Sequence, residues 1–351
     1  MDTDIAVGLS GGVDSAVAAL LLLRGGLRPA GVTMKLWREG RYHGGCGDAC
    51  FGPGEERDLD AAAGLARQLG IPYMVFDCSE QYEKNVLDYY RSERLAGRTP
   101  NPCIVCNSSM KFGFLPELAA KHVSTGRFAT GHYARVARRD GRFAAAMAFD
   151  EKKDQSYFLC RLSQEQLSRA VFPLGEMEKK DVRRIAAQEG FSMAAKPDSQ
   201  DFYSGDPEEL LGVKPKEGNI VDAGGRVLGR HEGYWRYTPG QRQGLRIGGG
   251  VPYYVMRIDP CRNEVVVGRR EDVFSTAFNV TGVVWQLQEP TDGEVSGRVK
   301  IRSAGAPVAG AVFRAGRIEV PDGIFGVAPG QSAVLYSNDG AILCSGVISG
   351  F

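Results

Sequence analysis

Long hydrophobic runs are missing from this chain: no apolar stretch approaches the roughly 18 residues that span a bilayer. This absence predicts no transmembrane helix and no membrane partner. The polar start Met1-Asp2-Thr3-Asp4 leads directly into an apolar stretch and leaves no room for a signal peptide, so we expect a cytoplasmic protein. A strong charge of either sign is also missing, since 43 lysines and arginines face 42 aspartates and glutamates. Composition alone therefore gives no reason to propose nucleic acid, which would need a local basic patch.

A glycine- and serine-rich loop follows the first apolar run. Ile5-Ala6-Val7-Gly8-Leu9 leads into Ser10-Gly11-Gly12-Val13-Asp14-Ser15, and a helix-forming stretch of alanines and leucines comes next. The glycines let the backbone approach an anion, and the serine hydroxyls and the N–H groups of the new helix supply donors for phosphate. No Gly-Lys-Ser/Thr follows, which excludes the lysine-bearing phosphate loop. The loop resembles the pyrophosphatase loop of enzymes that split ATP between the α and β phosphates; the alternative is an ordinary glycine turn.

Strands and helices alternate through the first part of the chain. The patterns predict strands at 31–37, 71–76 and 128–134, and helices at 55–69 and 82–95. This rhythm predicts a doubly wound parallel α/β sheet, with a ligand beyond the carboxyl ends of its strands. Beyond about residue 205, short β-like runs alternate with Gly and Pro turns, and the runs after Phe278 predict a small antiparallel barrel.

Cysteines are the second chemical signal. Cys103-Ile104-Val105-Cys106 has a spacing that suits a thiolate pair, half of a zinc or iron–sulfur site, or a redox disulfide. Cys46 and Cys50, in a glycine-rich loop, are candidates for further ligands. The alternative is a pair of independent thiols. An ATP loop followed by a cysteine pair favours sulfur transfer over structural zinc.

Together these segments resemble the bacterial tRNA-specific 2-thiouridylase family, in order and over essentially the whole chain. The matching motifs are Gly8-Leu9-Ser10-Gly11-Gly12-Val13-Asp14-Ser15, Thr99-Pro100-Asn101-Pro102 through Cys106-Asn107, Ala129-Thr130-Gly131-His132-Tyr133-Ala134-Arg135, Lys153-Asp154-Gln155-Ser156-Tyr157-Phe158-Leu159, Lys196-Pro197-Asp198-Ser199-Gln200-Asp201 and Tyr237-Thr238-Pro239-Gly240-Gln241-Arg242.

The resemblance implies a three-part protein that modifies tRNA. An ATP-pyrophosphatase domain (1–204) of the adenine nucleotide α-hydrolase type is followed by a small central domain (205–272) and a tRNA-binding C-terminal β-barrel (273–351). ATP, with Mg²⁺, adenylates the C2 oxygen of the wobble uridine in the anticodon stem-loop. Sulfur from a persulfide carrier or from free sulfide then replaces AMP at C2. A base of an unpaired anticodon loop can leave its stack and enter the pocket at a small cost in free energy.

The resemblance also assigns roles to single residues. Catalytic roles fall to Cys106, which carries the persulfide, and to Cys103 and Asp14. The residues assigned to the adenine nucleotide are Gly8, Leu9, Ser10, Gly11, Gly12, Val13, Asp14, Ser15, Met34 and Gly131. The residues assigned to the target base or to tRNA are Asn101, Pro102, Cys103, His132, Lys153, Asp154, Gln155, Arg302, Ser303 and Gln331.

One departure from the family pattern concerns the second catalytic cysteine, whose position holds Tyr203 here. A phenol cannot form the disulfide that releases sulfur from a persulfide on Cys106. Three ways to deliver the sulfur without this cysteine stay open. Cys103 could resolve the persulfide, or Cys50 could do so from its loop. Alternatively, Cys50, Cys103 and Cys106 could hold a [4Fe–4S] cluster that binds sulfide. The sequence favours the cluster slightly.

Two further functions stay open at this stage. One is a synthetase that uses the same ATP loop with ammonia or an amine as nucleophile, which leaves Cys103 and Cys106 unexplained. The other is a catalytically silent tRNA-binding or metal-binding protein, suggested by Tyr203 and opposed by the complete ATP loop and the intact Cys106.

Overall fold

A computed structural model describes residues 3–44, 49–124, 126–194, 201–248, 250–287, 289–291 and 293–350 of the chain. The strands are β1 (Ile5–Gly8), β2 (Pro29–Lys35), β3 (Ala49–Phe51), β4 (Tyr73–Asp77), β5 (Phe128–Ala129), β6 (Arg135–Arg139), β7 (Arg142–Ala146), β8 (Ala170–Val171), β9 (Asp201–Tyr203), β10 (Gly218–Asp222), β11 (Val227–His231), β12 (Tyr254–Asp259), β13 (Glu264–Gly268), β14 (Phe274–Trp285), β15 (Glu294–Lys300), β16 (Val308–Arg314), β17 (Arg317–Phe325), β18 (Ser332–Tyr336) and β19 (Ile342–Gly350).

Helices connect many of these strands. The α-helices are α1 (Val13–Arg24), α2 (Glu55–Leu69), α3 (Ser79–Tyr82), α4 (Asp88–Leu95), α5 (Pro102–Val105), α6 (Leu115–Ala119), α7 (Gln164–Arg169), α8 (Lys179–Gln188) and α9 (Pro207–Leu211). The other helical segments are π-helical at Glu83–Leu87 and Cys106–Phe114, and 3₁₀-helical at Ser156–Leu159, Tyr234–Arg236 and Glu271–Val273. Within the described part of the chain, no helix is both long and apolar enough to cross a membrane.

The chain divides into two compact units, each made of three segments. The first unit combines residues 1–86, 102–206 and 340–342, and the second combines 87–101, 207–339 and 343–351. The domain boundaries at 204/205 and 272/273 stay predictions.

A five-stranded sheet forms the centre of the first unit, in the order β4-β2-β1-β5-β8. Every neighbouring pair in it is parallel. The central strand β1 is apolar on both faces, as buried parallel strands are. Helix α1 packs on the sheet with Ala16, Val17, Ala18 and Ala19 fully buried, because its small apolar residues allow a close approach. The predicted doubly wound α/β class is confirmed.

The strand order of this sheet changes direction at β1, which makes β1 its topological switch point. Strand β2 follows β1 on one side, whereas β5 pairs with β1 on the other. Crevices at such switch points open at the carboxyl ends of the strands, where α/β sheets bind ligands. The loop Ser10–Gly12 and the chain after β5 both begin at this edge. The predicted strand at 128–134 is shorter than expected, because after Ala129 the chain turns along the loop instead of continuing the ladder.

The second unit contains a four-stranded sheet and a barrel. The sheet has the order β11-β10-β13-β12, and Ile220, Val255 and Val265 form its core. Strands β14-β17-β16-β15-β18-β19 close into a barrel around residues such as Phe278 and Leu335, both fully buried. The predicted C-terminal barrel is confirmed.

Glu208 in α9 is a buried anchor of the second unit. It is 5% exposed, and its Oε1 accepts hydrogen bonds from Trp235 Nε1 at 2.8 Å and from Arg236 Nε at 2.5 Å. Buried donors that lose their acceptor and a cation that loses its partner are costly. We therefore expect Glu208→Ala to lower the free energy of unfolding by about 3 kcal/mol in guanidinium titrations followed by tryptophan fluorescence.

Glu217→Ala is the matched control for Glu208→Ala. Its carboxylate pairs with Arg230 on the surface, with 75% and 73% of the two side chains exposed. Exposed pairs of this kind contribute little. Equal unfolding midpoints for the two variants would show that the buried carboxylate does not anchor this unit.

Candidate active site

A cavity of about 370 Å³ opens in the first unit at the carboxyl edge of the parallel sheet. It gathers residues from the ends of β1 and β2, from α2, from β3 and β9, and from the segment that follows Pro102. The predicted site residues that line it are Gly8, Leu9, Ser10, Gly12, Val13, Asp14, Ser15, Met34, Cys50, Pro102, Cys103, Cys106, Gly131, His132, Lys153 and Gln155. The predicted nucleotide positions and the predicted thiols therefore share one cavity.

The glycine-serine loop is held by its own serines. The Ser15 hydroxyl donates to the Gly12 carbonyl at 3.0 Å and accepts from the Ser10 N–H at 3.2 Å. Gly11 adopts a left-handed φ of +68°, and a Cβ there would lie 2.6 Å from the carbonyl oxygen of Asp58. Only glycine fits such a position without displacement of the α2 backbone. The loop is thus preformed, with the N-terminus of α1 behind it.

Gly131 fixes the other side of the loop. A Cβ at Gly131 would lie 2.7 Å from both the carbonyl carbon of Asp14 and the amide nitrogen of Ser15. The chain after β5 therefore packs directly on the first turn of α1. This contact explains why the predicted motif around Gly131 accompanies the predicted ATP loop.

Asp14 is engaged by a lysine that the sequence analysis missed. Lys179 Nζ donates to both carboxylate oxygens of Asp14 at 2.8 Å, and the Tyr133 hydroxyl donates to Oδ1 at 3.0 Å. The Lys179 ammonium also lies 5.6 Å from the centroid of the Tyr133 ring. Lys179 and Tyr133 are 8% and 2% exposed, so this cluster is held inside the protein. It ties the first turn of α1 to the start of α8.

A signal for Lys179 was present in the sequence. A lysine in the first turn of a helix opposes the positive end of the helix dipole, so it needs a compensating partner. Lys179 is the first residue of α8, directly after the N-cap Glu178. Asp14, at the same end of another helix, supplies that partner.

Three thiols face the cavity from two parts of the chain. Cys103 lies in α5, and Cys106 begins the π-helical segment Cys106–Phe114. Cys50 lies in β3, and its side chain is exposed. Within the described residues, no disulfide joins Cys50, Cys103 or Cys106 to another cysteine. Cys160, by contrast, is completely buried.

Lys111 is the cation beside these thiols and was also missed. Burial raises the pKa of Cys106 to about 11, while the Lys111 ammonium acts in the opposite direction. Charges on Cys106, Cys50 and Cys103 in turn raise the pKa of Lys111, against the effect of its burial. The signal was available, because Lys111 is the only charged residue in the sequence from Thr99 to Pro116. A thiolate or persulfide formed here has a cation to stabilise it.

His132 is held as a neutral ring. Desolvation and the nearby Lys111 ammonium lower the pKa of His132 to about 3. Its Nδ1 lies 2.7 Å from the Thr130 hydroxyl, and its ring packs 5.9 Å from that of Phe112. A neutral imidazole can hydrogen-bond a base or ribose, but it is not a cation for phosphate.

The three residues Lys153, Asp154 and Gln155, which were predicted to contact tRNA, have two different positions in the structure. Lys153 and Gln155 line the cavity, and Gln155 Oε1 also accepts from the Tyr133 N–H at 3.0 Å. The Asp154 carboxylate instead accepts from the N–H groups of Ala148 and Ser156 and from the Ser156 hydroxyl. Asp154 and Gly11 are not among the described residues that line the cavity. Asp154 therefore shapes the turn that presents its neighbours.

Four predicted tRNA or base contacts lie in the second unit. Gln331 Nε2 donates to the carbonyls of Thr99 and Pro100 at 3.0 and 3.1 Å, and so holds the turn that precedes Asn101. The Asn101 N–H donates to the Tyr89 hydroxyl at 3.3 Å. The Arg302 guanidinium donates to the carbonyls of Pro239 and Gly326, and Ser303 is exposed. The predicted motif at 196–200 and Cys46 lie outside the described residues.

Cys50, Cys103 and Cys106 supply three sulfur atoms to the cavity. Three thiolates are a suitable donor set for an iron–sulfur cluster. Over the described ranges, however, no three His, Cys, Asp or Glu side chains are gathered closely enough to hold a metal ion. Cys50, Cys103 and Cys106 line one cavity but do not form such a group. The iron–sulfur cluster stays a prediction.

A parallel α/β unit with a glycine-serine loop and three cysteines in one cavity defines the class: a nucleotide-binding enzyme of the HUP type with sulfur chemistry. Family models match the chain in order, described as a tRNA methyl transferase HUP domain over 3–203, a tRNA methyl transferase PRC-barrel domain over 209–269 and an aminomethyltransferase beta-barrel domain over 275–348.

Full-length relatives identify the family. The tRNA-specific 2-thiouridylase MnmA of Endomicrobium trichonymphae is 42% identical, across 99% of this chain and 100% of the relative. The protein of that name from Trichormus variabilis is 40% identical, across 99% of each chain. The chain belongs to the tRNA-specific 2-thiouridylase family. The predicted resemblance is confirmed, and with it the enzyme class, a tRNA sulfurtransferase.

Solved structures add little. A 4-thiouridine synthetase in complex with RNA and bound ATP is 16% identical, with a TM-score of 0.37, over 59% of this chain and 45% of that chain. A TM-score this low carries no argument about the present chain.

Lys179→Met tests the cluster around Asp14. Without the ammonium, the partly buried Asp14 carboxylate keeps only the Tyr133 hydroxyl among the contacts described above, so we expect unfolding free energy to fall by on the order of 2 kcal/mol. We also expect weaker ATP binding in calorimetric titration, because the first turn of α1 loses its tie to α8. Lys180→Met is the control, since the neighbouring Lys180 side chain is 75% exposed. Equal ATP affinity in the two variants would contradict this role.

The pKa of Cys106 is testable by alkylation. Below its raised pKa, the thiolate fraction rises about tenfold per pH unit, so iodoacetamide modification of Cys106 should still accelerate beyond pH 9. The modification of a cysteine in a short unstructured peptide should level off about one pH unit above its ordinary pKa of about 8.5. Lys111→Met should slow the modification of Cys106 at every pH in this range, because the stabilising cation is lost. Mass spectrometry of the Cys106 peptide gives the rates, and levelling near pH 8 would contradict the raised pKa.

Proposed function

We propose that this protein uses ATP to replace the C2 oxygen of the wobble uridine of tRNA with sulfur. The observation that carries the proposal is the cavity that joins an anion-binding loop to the Cys106 thiol. Activation by ATP and attack by sulfur must occur at one carbon, so both sets of groups are needed in one place. The names of the curated relatives, tRNA-specific 2-thiouridylases, support tRNA as the substrate.

The nucleotide is assigned to the loop end of the cavity. We assign the ATP phosphates to the N–H groups from Ser10 to Ser15 and to the N-terminus of α1, which favours anions. Met34, at the end of β2, and Gly131 are assigned to the nucleoside. Mg²⁺ in proteins commonly takes one or two carboxylates together with substrate phosphates, and Asp14 and Asp58 both line the cavity. Mg²⁺ would supply neutralisation of the phosphate charge.

The chemistry begins with the activation of uracil. Its C2 oxygen attacks the α-phosphate of ATP, pyrophosphate leaves, and AMP stays on the oxygen as a good leaving group. Cys106 accepts sulfane sulfur from a persulfide carrier and holds it as a persulfide next to the activated C2. The Lys111 ammonium stabilises the sulfur anion, as cations do beside reactive thiolates. The bond from this sulfur to C2 forms as AMP leaves, and a second thiol breaks the S–S bond by forming a disulfide with Cys106, which leaves 2-thiouridine.

The tRNA is assigned to residues of both units. Pro102, Cys103 and His132 are assigned to the target base, together with Asn101. Lys153, Asp154 and Gln155 are assigned to the anticodon stem-loop, with Asp154 acting through the turn that it stabilises. Arg302, Ser303 and Gln331 are assigned to tRNA contacts of the barrel unit. The three-domain division and a cytoplasmic location stay part of this proposal.

The test is a reconstitution with purified protein, ATP, Mg²⁺, unmodified tRNA and a persulfide donor. We expect 2-thiouridine at the wobble position by mass spectrometry, with pyrophosphate and AMP formed in step. Cys106→Ser should reduce product by at least about a hundredfold, because the sulfur carrier is lost, and should leave tRNA binding nearly unchanged. Tyr203→Phe is the control and should keep activity.

Other outcomes distinguish the remaining candidates. ATP turnover without tRNA would favour a synthetase of the same loop class, and tight tRNA binding without ATP turnover would favour a silent binder. Product that forms only in preparations that contain iron would replace the Cys106 persulfide with a metal-bound sulfur. Retained activity in Cys106→Ser would remove Cys106 from its assigned role.

A further inference from the structure

Cys50 and Tyr203 lie on two paired strands, and their side chains point to opposite faces of this small sheet. Strands β3 and β9 run parallel, with Phe51 opposite Tyr203, and the centroids of these two rings are 6.1 Å apart. Because side chains alternate along a strand, Cys50 faces the other side from Phe51. Cys50 and Phe202 both line the cavity. Strands β3 and β9 therefore contribute the Cys50 thiol to the cavity.

Cys50 is electrostatically linked to Cys106. A charge on Cys50 raises the pKa of Cys106, and charges on both thiols raise the pKa of Lys111. The two sulfurs therefore share one cavity and one cation, although they belong to distant parts of the chain. A persulfide on Cys106 has a second thiol within its electrostatic surroundings.

Cys103 is less suited to attack Cys106. Both residues lie on continuous helical backbone, three positions apart, from α5 into the π-helical segment. Side chains at this spacing have Cβ atoms about 5–6 Å apart, whereas disulfides have Cβ atoms about 3.5–4.5 Å apart. Cys50 lies instead in a three-residue strand of a two-stranded sheet. Such short pairings adjust at low cost.

We propose that Cys50 is the resolving residue of this enzyme, releasing sulfide from a persulfide on Cys106; the inference rests on the proposed function. The Cys50 thiolate attacks Sγ of Cys106, the Sγ–S bond breaks, and its electron pair leaves with the terminal sulfur as hydrosulfide. A Cys50–Cys106 disulfide forms. Hydrosulfide then attacks C2 of the adenylated uridine and expels AMP, and a dithiol reductant returns both cysteines to thiols with two electrons and two protons.

The raised pKa of Cys106 favours this direction of cleavage. In thiol exchange the sulfur with the lower pKa leaves faster. Attack on the terminal sulfur would expel the Cys106 thiolate, whose pKa of about 11 makes it a poor leaving group. Attack on Sγ expels hydrosulfide, which is the more acidic partner. In the proposed step, sulfide is therefore released in the cavity that Cys50 and Cys106 share, and the persulfide does not move to Cys50.

The test uses the full-length protein, ATP, unmodified tRNA and cysteine hydropersulfide as donor, without a dithiol. We expect wild type to stop after one turnover and to contain a Cys50–Cys106 disulfide in peptide mass spectrometry. Addition of dithiothreitol should restore turnover. Cys50→Ser should lose at least about tenfold in rate with the persulfide donor and should recover the wild-type rate with inorganic sulfide, which bypasses the resolving step.

Cys261→Ser is the matched control, since Cys261 is also exposed but lies in the second unit. It should behave as wild type with both donors. A Cys103–Cys106 disulfide, or an unchanged rate of Cys50→Ser with the persulfide donor, would overturn the proposal. Recovery with sulfide also shows that Cys50→Ser is folded. If wild type makes no 2-thiouridine from either donor, the proposed function itself has failed.

Discussion

The close packing of Gly131 on the first turn of α1 is the constraint on which the site depends. A single methyl group at that position would meet the backbone at Asp14 and Ser15, so the loop and the end of β5 define each other. Lys179 also holds this turn, through the Asp14 carboxylate. Because backbone contacts and a paired charge fix the loop before any ligand arrives, its N–H groups need little reorganisation to receive an anion.

The cavity combines two electrostatic demands. Its loop end offers helix N–H groups to an anion, and its thiol end must stabilise a sulfur anion in a partly desolvated place. Burial alone would keep Cys106 protonated, and Lys111 moderates that effect. The neutral His132 adds no second cation at this end, since its pKa lies far below neutral. The protonated Cys106 thiol is a weak nucleophile, and it becomes a strong one when it ionises beside Lys111.

Local patterns predicted much of the fold and part of the site. The helix at 55–69 matches the structure, because its apolar residues recur with strong helical periodicity, and the runs after Phe278 form the predicted barrel. The motifs also gathered the nucleotide and thiol positions in one cavity. Lys179 was missed because its partner Asp14 is 165 residues away in sequence. Lys111 was missed although Cys106 is close in sequence, because spacing alone does not show that a lysine is buried beside a thiol. The role of Asp154 in shaping a turn could not be separated from ligand contact by spacing alone.

The order in which the ribosome delivers the chain has a consequence for assembly. Helix α4 belongs to the second unit but is synthesised more than a hundred residues before the strands of its four-stranded sheet. Its Arg94 finds acceptors at Trp235, Tyr237 and Thr238, which emerge much later. Folding that waits for such non-local contacts is slow and leaves apolar surface exposed in the meantime. These contacts of α4 therefore cannot form until the last third of the chain has left the exit tunnel.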